Sequence, residues 1–104
     1  MIYVLSNDVL VPGKMSEFYE IATMELAPLY PKVGMNLAGS FRAISGNINS
    51  GYALYAYNDL AAFQKAREAQ KKDLDFQKVS AKLSALRVSI SHTILEPNAW
   101  SPLK

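Results

Sequence analysis

His92 is the only histidine in this 104-residue sequence, and it lies in a segment of alternating apolar side chains. Val88, Ile90 and Ile94 share its alternation, so a strand here would place the imidazole on an otherwise apolar face. Because imidazole titrates near neutral pH, His92 is a candidate general base or haem ligand in a pocket between a sheet and its helices. The alternative is a histidine that is hydrogen-bonded at the edge of the core.

Four tyrosines fall in two predicted strands, Tyr3 in the first and Tyr52, Tyr55 and Tyr57 in the third. Their rings could stack on an aromatic substrate while their hydroxyls donate hydrogen bonds, as in largely apolar ligand pockets. Tyr3 and Tyr57 are therefore candidate ligand-binding residues. Tyr55 is a candidate catalytic residue that handles protons together with His92. The alternative is that the tyrosines form a barrel core or a dimer core.

The second predicted strand contributes Phe41 and Arg42, whose side chains point to opposite faces. The planar guanidinium of Arg42 could hold a carboxylate or a phosphate, and both residues are candidate ligand-binding residues. The alternatives for Arg42 are an intersubunit ion pair or plain exposure at the end of the strand. Asp73 and Asp75 are also close in sequence, but at the start of a helix capping and the helix dipole explain them better than acid–base catalysis.

Composition argues against several kinds of site. The sequence has no cysteine, which rules out disulfides and thiolate catalysis, and a single histidine argues against a dedicated zinc site. The net charge is only +2, and the lysines and arginines are scattered over predicted helical surfaces. We therefore expect no nucleic-acid partner. No apolar run approaches the ~20 residues of a membrane span, and we expect a cytoplasmic protein. We predict no metal and no cofactor, with haem or flavin left open.

Hydrophobic periodicity predicts the element order βαββαβ in a single domain, residues 1–104. Strands are expected over residues 2–11, 35–43, 52–57 and 86–95. A hairpin loop is expected over 46–51 and an extended tail over 97–104. Two right-handed crossovers would place both helices on one side of a four-stranded, mainly antiparallel sheet. The predicted class is α+β with a ferredoxin-like fold.

Both helical segments are predicted to be interrupted. In the first, residues 15–33, Pro28 removes the hydrogen bond to the carbonyl of Met24, so the helix should loosen before Gly34 ends it. This loosened end is the predicted mouth of a cleft between helices and sheet. The second segment is predicted to break at Asp73, which caps a further helical piece.

The first and third strands are apolar on both faces, since Ile2 and Val4 alternate with Tyr3 and Leu5. One helical layer covers only one face of a sheet, and the bare face would expose more apolar surface than soluble monomers usually do. The predicted partner is an identical chain, whose open face would close on this one. The second face of each sheet would then become interior in a homodimer.

Several short motifs follow one another along the chain: Met1-Ile2-Tyr3, Val11-Pro12-Gly13-Lys14, Gly39-Ser40-Phe41, Asp59-Leu60-Ala61-Ala62, Leu95-Glu96-Pro97 and Ser101-Pro102-Leu103. In this order they resemble the NIPSNAP family of the dimeric α/β-barrel superfamily. Each motif is short, but together they span nearly the whole chain. The resemblance implies the barrel dimer and says little about activity. Its animal relatives are linked to vesicle and mitochondrial interactions, and wider relatives include cofactor-independent and haem-degrading monooxygenases.

The chain differs at four positions from what is usual in the family that it resembles. Val4 and Ser6 stand where an acidic residue and an arginine are usual, Asp8 where an aromatic residue is common, and Ala53 where a histidine is frequent. If those polar side chains line a functional pocket elsewhere, this chain has lost much of it.

Two functions are therefore expected as alternatives. The first is a homodimer that binds a small hydrophobic or aromatic molecule in the cleft, with cofactor-free monooxygenase-like activity as its catalytic form. The second is a non-enzymatic interaction or scaffold module that recognises a protein through its surface or its tail.

Overall fold

The computed structural model describes residues 1–104 as a four-stranded sheet with a helical layer on one face. The strands are β1 (Ile2–Leu10), β2 (Leu37–Arg42), β3 (Ser50–Tyr57) and β4 (Arg87–Leu95). The helices are α1 (Met15–Ile21), α2 (Leu60–Lys72) and α3 (Leu74–Ser84). A π-helical turn, Ala22–Leu26, and two 3₁₀ turns, Ala27–Leu29 and Pro31–Val33, continue α1 toward β2.

The strand order is β2-β3-β1-β4, and every neighbouring pair is antiparallel. This arrangement confirms the predicted α+β class and the ferredoxin-like fold. No helix is both long enough and apolar enough to cross a membrane.

Side chains of β1 alternate between the two faces of the sheet. Leu10 packs in one apolar cluster with Phe18 and Leu83, and Val4 packs in a second cluster with Ala66, so the even-numbered residues face the helices. The odd-numbered residues point the other way. We call that side, which no helix covers, the open face; it carries Tyr3, Leu5, Asn7 and Val9 of β1 together with their cross-strand neighbours.

The helical segment that contains Pro28 is irregular, as predicted. Regular α-helix ends at Ile21, and a wide π turn and two tight 3₁₀ turns follow it. Because proline has no amide hydrogen, the carbonyl of Met24 loses its ordinary helical partner at this point. Gly34 then ends the segment with a φ of 74°, a left-handed conformation that glycine adopts without strain.

The second helical segment breaks into two helices at Asp73, also as predicted. The carboxylate of Asp59 accepts a hydrogen bond of 2.8 Å from the amide of Ala62 and so caps α2. Asp73 in the same way accepts one of 2.9 Å from the amide of Phe76 and caps α3. Lys32 pairs with both Asp73 and Asp75, at 2.9 and 3.3 Å, which ties the last 3₁₀ turn to this junction.

The chain after β4 returns toward the first strand across the open face. The hydroxyl of Tyr3 donates a hydrogen bond of 2.7 Å to the backbone carbonyl of Lys104. Trp100, in the same tail, is 82% exposed. The tail is therefore attached through its last residue, and its large aromatic side chain contributes little to the core of the single chain.

We expect Leu83→Ala in α3 to lower the free energy of unfolding by about 2 to 5 kcal/mol, because it removes apolar contacts from a buried cluster of the core. Leu83 is 1% exposed, whereas Leu74 in the same helix is 72% exposed. Leu74→Ala is the matched control and should change the stability by about 0.5 kcal/mol or less. Urea denaturation followed by circular dichroism measures both, and equal losses in the two variants would contradict the described core.

Candidate ligand-binding site

A cavity of about 320 Å³ lies between the sheet and the helical segment that runs from α1 through the π turn. Most of the residues that line it are hydrophobic. Along β1 it occupies the stretch between the two apolar clusters, where the helix-facing residues are Ser6 and Asp8. The candidate site is therefore the gap between the two apolar clusters.

The floor of the cavity is built from small side chains that the sheet register brings together. Ser6 of β1 is paired with Ala53 of β3, and Ala53 is paired in turn with Ser40 of β2. In the next row, Asp8 is paired with Gly51. Because directly paired residues project from the same face, these short side chains leave the space beneath the helices unfilled.

Gly51 has a specific steric role in this floor. A Cβ atom added at this position would lie 2.9 Å from the hydroxyl oxygen of Tyr19. The absence of a side chain therefore lets the Tyr19 ring descend from α1 onto the sheet.

A buried ion pair forms one polar part of the cavity lining. Nε of Arg87 lies 2.6 Å from Oδ1 of Asp8, and both side chains are largely buried. The guanidinium also lies over the ring of Phe18, 5.6 Å from the ring centroid. The pair brings opposite charges into the site together, so it adds no net charge there.

Two tyrosine hydroxyls form a second polar part. Those of Tyr30, from the irregular segment, and Tyr55, from β3, lie 2.9 Å apart, with the rings edge to face. Burial raises the pKa of both tyrosines, and the neighbouring hydroxyl and Asp8 raise that of Tyr55 further. Both phenols are therefore protonated at neutral pH and act as hydrogen-bond donors or acceptors, not as bases.

His92 of β4 lies opposite Ser6 and lines the cavity from the edge of the sheet. His92 is partly exposed at this edge; its partial burial lowers the pKa of the imidazole, and the positive charge of Arg67 lowers it further. The imidazole is therefore neutral at pH 7 and able to accept a proton. No group of three or more His, Cys, Asp or Glu side chains is close enough to hold a metal ion.

The structure brings together only part of the residue set predicted from the sequence. Tyr55 and His92 both line the cavity. Tyr57 shares their face but packs edge to face on Phe63 in the second apolar cluster, outside the lining.

The other three candidates lie elsewhere. Arg42 faces the helical side at the edge strand, where it is exposed and outside the lining, while Tyr3 and Phe41 project from the open face. A ligand in the cavity would therefore not touch Tyr3 or Phe41, because the sheet lies between.

Sequence reasoning did not select Asp8, Arg87, Tyr19 or Tyr30 as site residues, although all four line the cavity. Asp8 carried a usable signal, since a carboxylate at a helix-facing position of an apolar strand is buried and needs a partner. The other three carried none, because their positions depend on how separate elements pack.

A sequence model of the NIPSNAP family matches residues 7–102. The chain belongs to the NIPSNAP family. Its fold is similar to that of a NIPSNAP family protein from Agrobacterium tumefaciens, with 25% identity, a TM-score of 0.92, and coverage of 99% of this chain and 98% of that one. A NIPSNAP domain protein from Burkholderia xenovorans is 24% identical, with a TM-score of 0.91 and coverage of 98% and 99%.

The NIPSNAP fold is also similar to that of a more distant protein. An antibiotic biosynthesis monooxygenase matches with a TM-score of 0.72 at 14% identity, over 94% of this chain and 99% of that one. This likeness concerns the fold alone. No curated protein matches the sequence.

We expect the titration midpoint of His92 to lie below the value of about 6.5 for an unperturbed histidine. The folded chain favours the neutral imidazole, so the stability from this group is complete above the unfolded-state pKa and is lost as the pH falls through the folded-state pKa. NMR titration of the single imidazole measures the midpoint.

Arg67→Gln should raise this midpoint, because it removes a positive charge that opposes protonation. Arg42→Gln, on the opposite edge strand, is the matched control and should leave the midpoint unchanged. A midpoint at or above the unperturbed value would contradict the described environment of His92.

Proposed function

We propose that this chain binds a small, mainly apolar aromatic molecule in the cavity between sheet and helices. The observation that carries the proposal is the cavity of about 320 Å³ over a floor of small side chains. Its volume lies at the lower end of the range for ligand pockets, and its lining combines a majority of hydrophobic residues with a smaller set of polar ones. The rings of Phe18, Tyr30, Tyr55 and Phe76 offer faces and edges for an aromatic ligand.

The proposal includes assembly as a homodimer in the cytoplasm. The open face supports a partner sheet, because Phe41 of β2 is 58% exposed there and Leu5 and Leu54 meet on the same side. Removing this exposed apolar surface from water is favourable, and a second, symmetric copy of the chain would cover it. In this arrangement Tyr3 and Phe41 would contact the partner, and Tyr55 and His92 would contact the ligand.

The catalytic form of the proposal is cofactor-free oxygenation of the bound molecule, with dioxygen from solution as the oxidant. A ligand carbon would lose two hydrogen atoms and gain one oxygen atom as a carbonyl, and the second oxygen atom would leave with the two hydrogen atoms as water. Its support is the likeness in fold to an antibiotic biosynthesis monooxygenase, together with a neutral histidine and a protonated tyrosine in one cavity. In this form His92 would accept a proton from the ligand, and the hydroxyl of Tyr55 would donate a hydrogen bond to it.

The second candidate function is a protein-interaction or scaffold module. The observation that favours it is the tail, where the indole of Trp100 is 82% exposed and accessible to a protein partner. Native mass spectrometry of freshly purified protein separates the two functions. A retained small molecule supports ligand binding in the cavity. If no molecule is retained and no aromatic probe binds, the result supports the scaffold function.

Filling the cavity floor should remove ligand binding. We expect Ala53→Leu to weaken binding of the probe 2-naphthol by at least about tenfold, because the added side chain would occupy the space of the ligand. Ala61→Leu, on the exposed side of α2, is the control and should bind as the wild type does. Thermal-shift titration measures the affinities, and equal binding by both variants would contradict a ligand in this cavity.

A charge on the open face should prevent dimerisation. We expect the wild type to have a mass near twice the 11.5 kDa of one chain in multi-angle light scattering, and Phe41→Glu to shift it toward one chain. Leu74→Glu introduces the same charge at an exposed leucine of α3 and should remain dimeric. A wild-type mass of one chain at micromolar concentration would overturn the homodimer.

A further inference from the structure

The carboxylate of Asp8 has bonding capacity that the chain does not use. Its Oδ1 accepts a hydrogen bond from Nε of Arg87 at 2.6 Å, and no protein group donates to Oδ2. A buried carboxylate with one oxygen held in place and the other free is an oriented acceptor. Because Asp8 lines the cavity, a molecule held there can supply the missing donor.

The hydroxyl of Tyr19 is also without a partner. Its oxygen is buried and forms no hydrogen bond within the chain, although buried hydroxyls are normally paired. It lies above Gly51, 2.9 Å from where a Cβ atom of that residue would be, so only a glycine leaves space for it there. Gly51 is the direct cross-strand neighbour of Asp8, and such neighbours have Cβ atoms roughly 5 Å apart. The unused donor and the unused acceptor therefore belong to the same row of the cavity floor.

The electrostatics of this position favour a neutral polar atom. Arg87 already balances the charge of Asp8, so an added anion would face Asp8 without a free cation inside the cavity. Arg42 is the other neighbour of Gly51, and its positive charge opposes the rise in the pKa of Tyr19, but its side chain is exposed to water, which weakens its attraction for an anion inside the cavity. Burial raises the pKa of Tyr19, which keeps its phenol protonated at neutral pH as a donor.

We propose that the cavity recognises an uncharged hydroxyl group on its aromatic ligand, with Asp8 accepting the hydroxyl hydrogen and Tyr19 donating to the hydroxyl oxygen. The inference rests on the proposed function and makes its ligand class specific. A phenol satisfies both unused groups at once. An ether on the same ring accepts from Tyr19 but has nothing to donate to Asp8, and a carboxylate places a negative charge beside Asp8.

The test compares three naphthalene probes that differ only in their polar group: 2-naphthol, 2-methoxynaphthalene and 2-naphthoate. Dissociation constants are measured on the full chain at neutral pH by isothermal titration calorimetry. We expect 2-naphthol to bind about tenfold or more tightly than 2-methoxynaphthalene, since a hydrogen bond to a charged acceptor is among the stronger ones. We expect 2-naphthoate to bind most weakly.

Two variants test which residues produce the preference for 2-naphthol. Asp8→Asn should lower the affinity for 2-naphthol by about tenfold and change that for 2-methoxynaphthalene by about twofold at most, because only the hydroxyl donates to Asp8. Tyr19→Phe should weaken both probes by a few-fold, since both oxygens accept from this phenol. Asp75→Asn alters a carboxylate that pairs with Lys32 on the surface and should affect neither probe.

Equal affinity of the wild type for 2-naphthol and 2-methoxynaphthalene would overturn the inference and leave the proposed cavity intact. Tightest binding of 2-naphthoate would also overturn it, since an anion would then be preferred. Failure of all three probes to bind would count against the proposed function itself. If Asp8→Asn does not fold, as judged by circular dichroism, the wild-type series and Tyr19→Phe still decide between hydroxyl recognition and shape alone.

Discussion

The alternation of side chains along β1 is the constraint on which the rest of the structure depends. This strand lies between β3 and β4, so its helix-facing residues Val4, Ser6 and Asp8 each have a neighbour on both sides in the same row. Where the rows hold large apolar residues, at Val4 and Leu10, they pack against helices and close the core. Where they hold Ser6 and Asp8, the same geometry leaves space and a charge. Core and cavity are thus two results of one pattern.

Effects of neighbouring residues along the chain were sufficient to predict the helices and strands, but not to predict which residues line the cavity. Pro28 and Asp73 act on their own neighbours along the chain, so the irregular first helix and the broken second one could be predicted. The cavity depends instead on which residues face each other across strands. Tyr3 and Tyr55 illustrate the limit, because strands that are apolar on both faces give no alternation by which to tell the open face from the covered one.

The ion pair between Asp8 and Arg87 links the site to the architecture. Arg87 is the first residue of β4, and its guanidinium reaches both the carboxylate and the ring of Phe18 in α1. Removing a carboxylate and a guanidinium from water is unfavourable, and such a pair is a weak source of stability. Its value here is positional, since one short contact fixes the direction of an acceptor inside the cavity. Ser6 and Ala53 give the floor little polarity, and the polarity of the cavity comes from this ion pair and from the hydroxyls of Tyr30 and Tyr55.

The small side chains of the cavity floor allow the shape of the cavity to change while the backbone fold stays the same. Ser40 and Ala53 can change in size without altering which strands pair, because their side chains project away from the ladder of hydrogen bonds. Chains that superpose as closely as this one and its Agrobacterium tumefaciens relative can therefore enclose cavities of different volume and chemistry. Within such a family, ligand preference can diverge one floor position at a time while the scaffold is preserved.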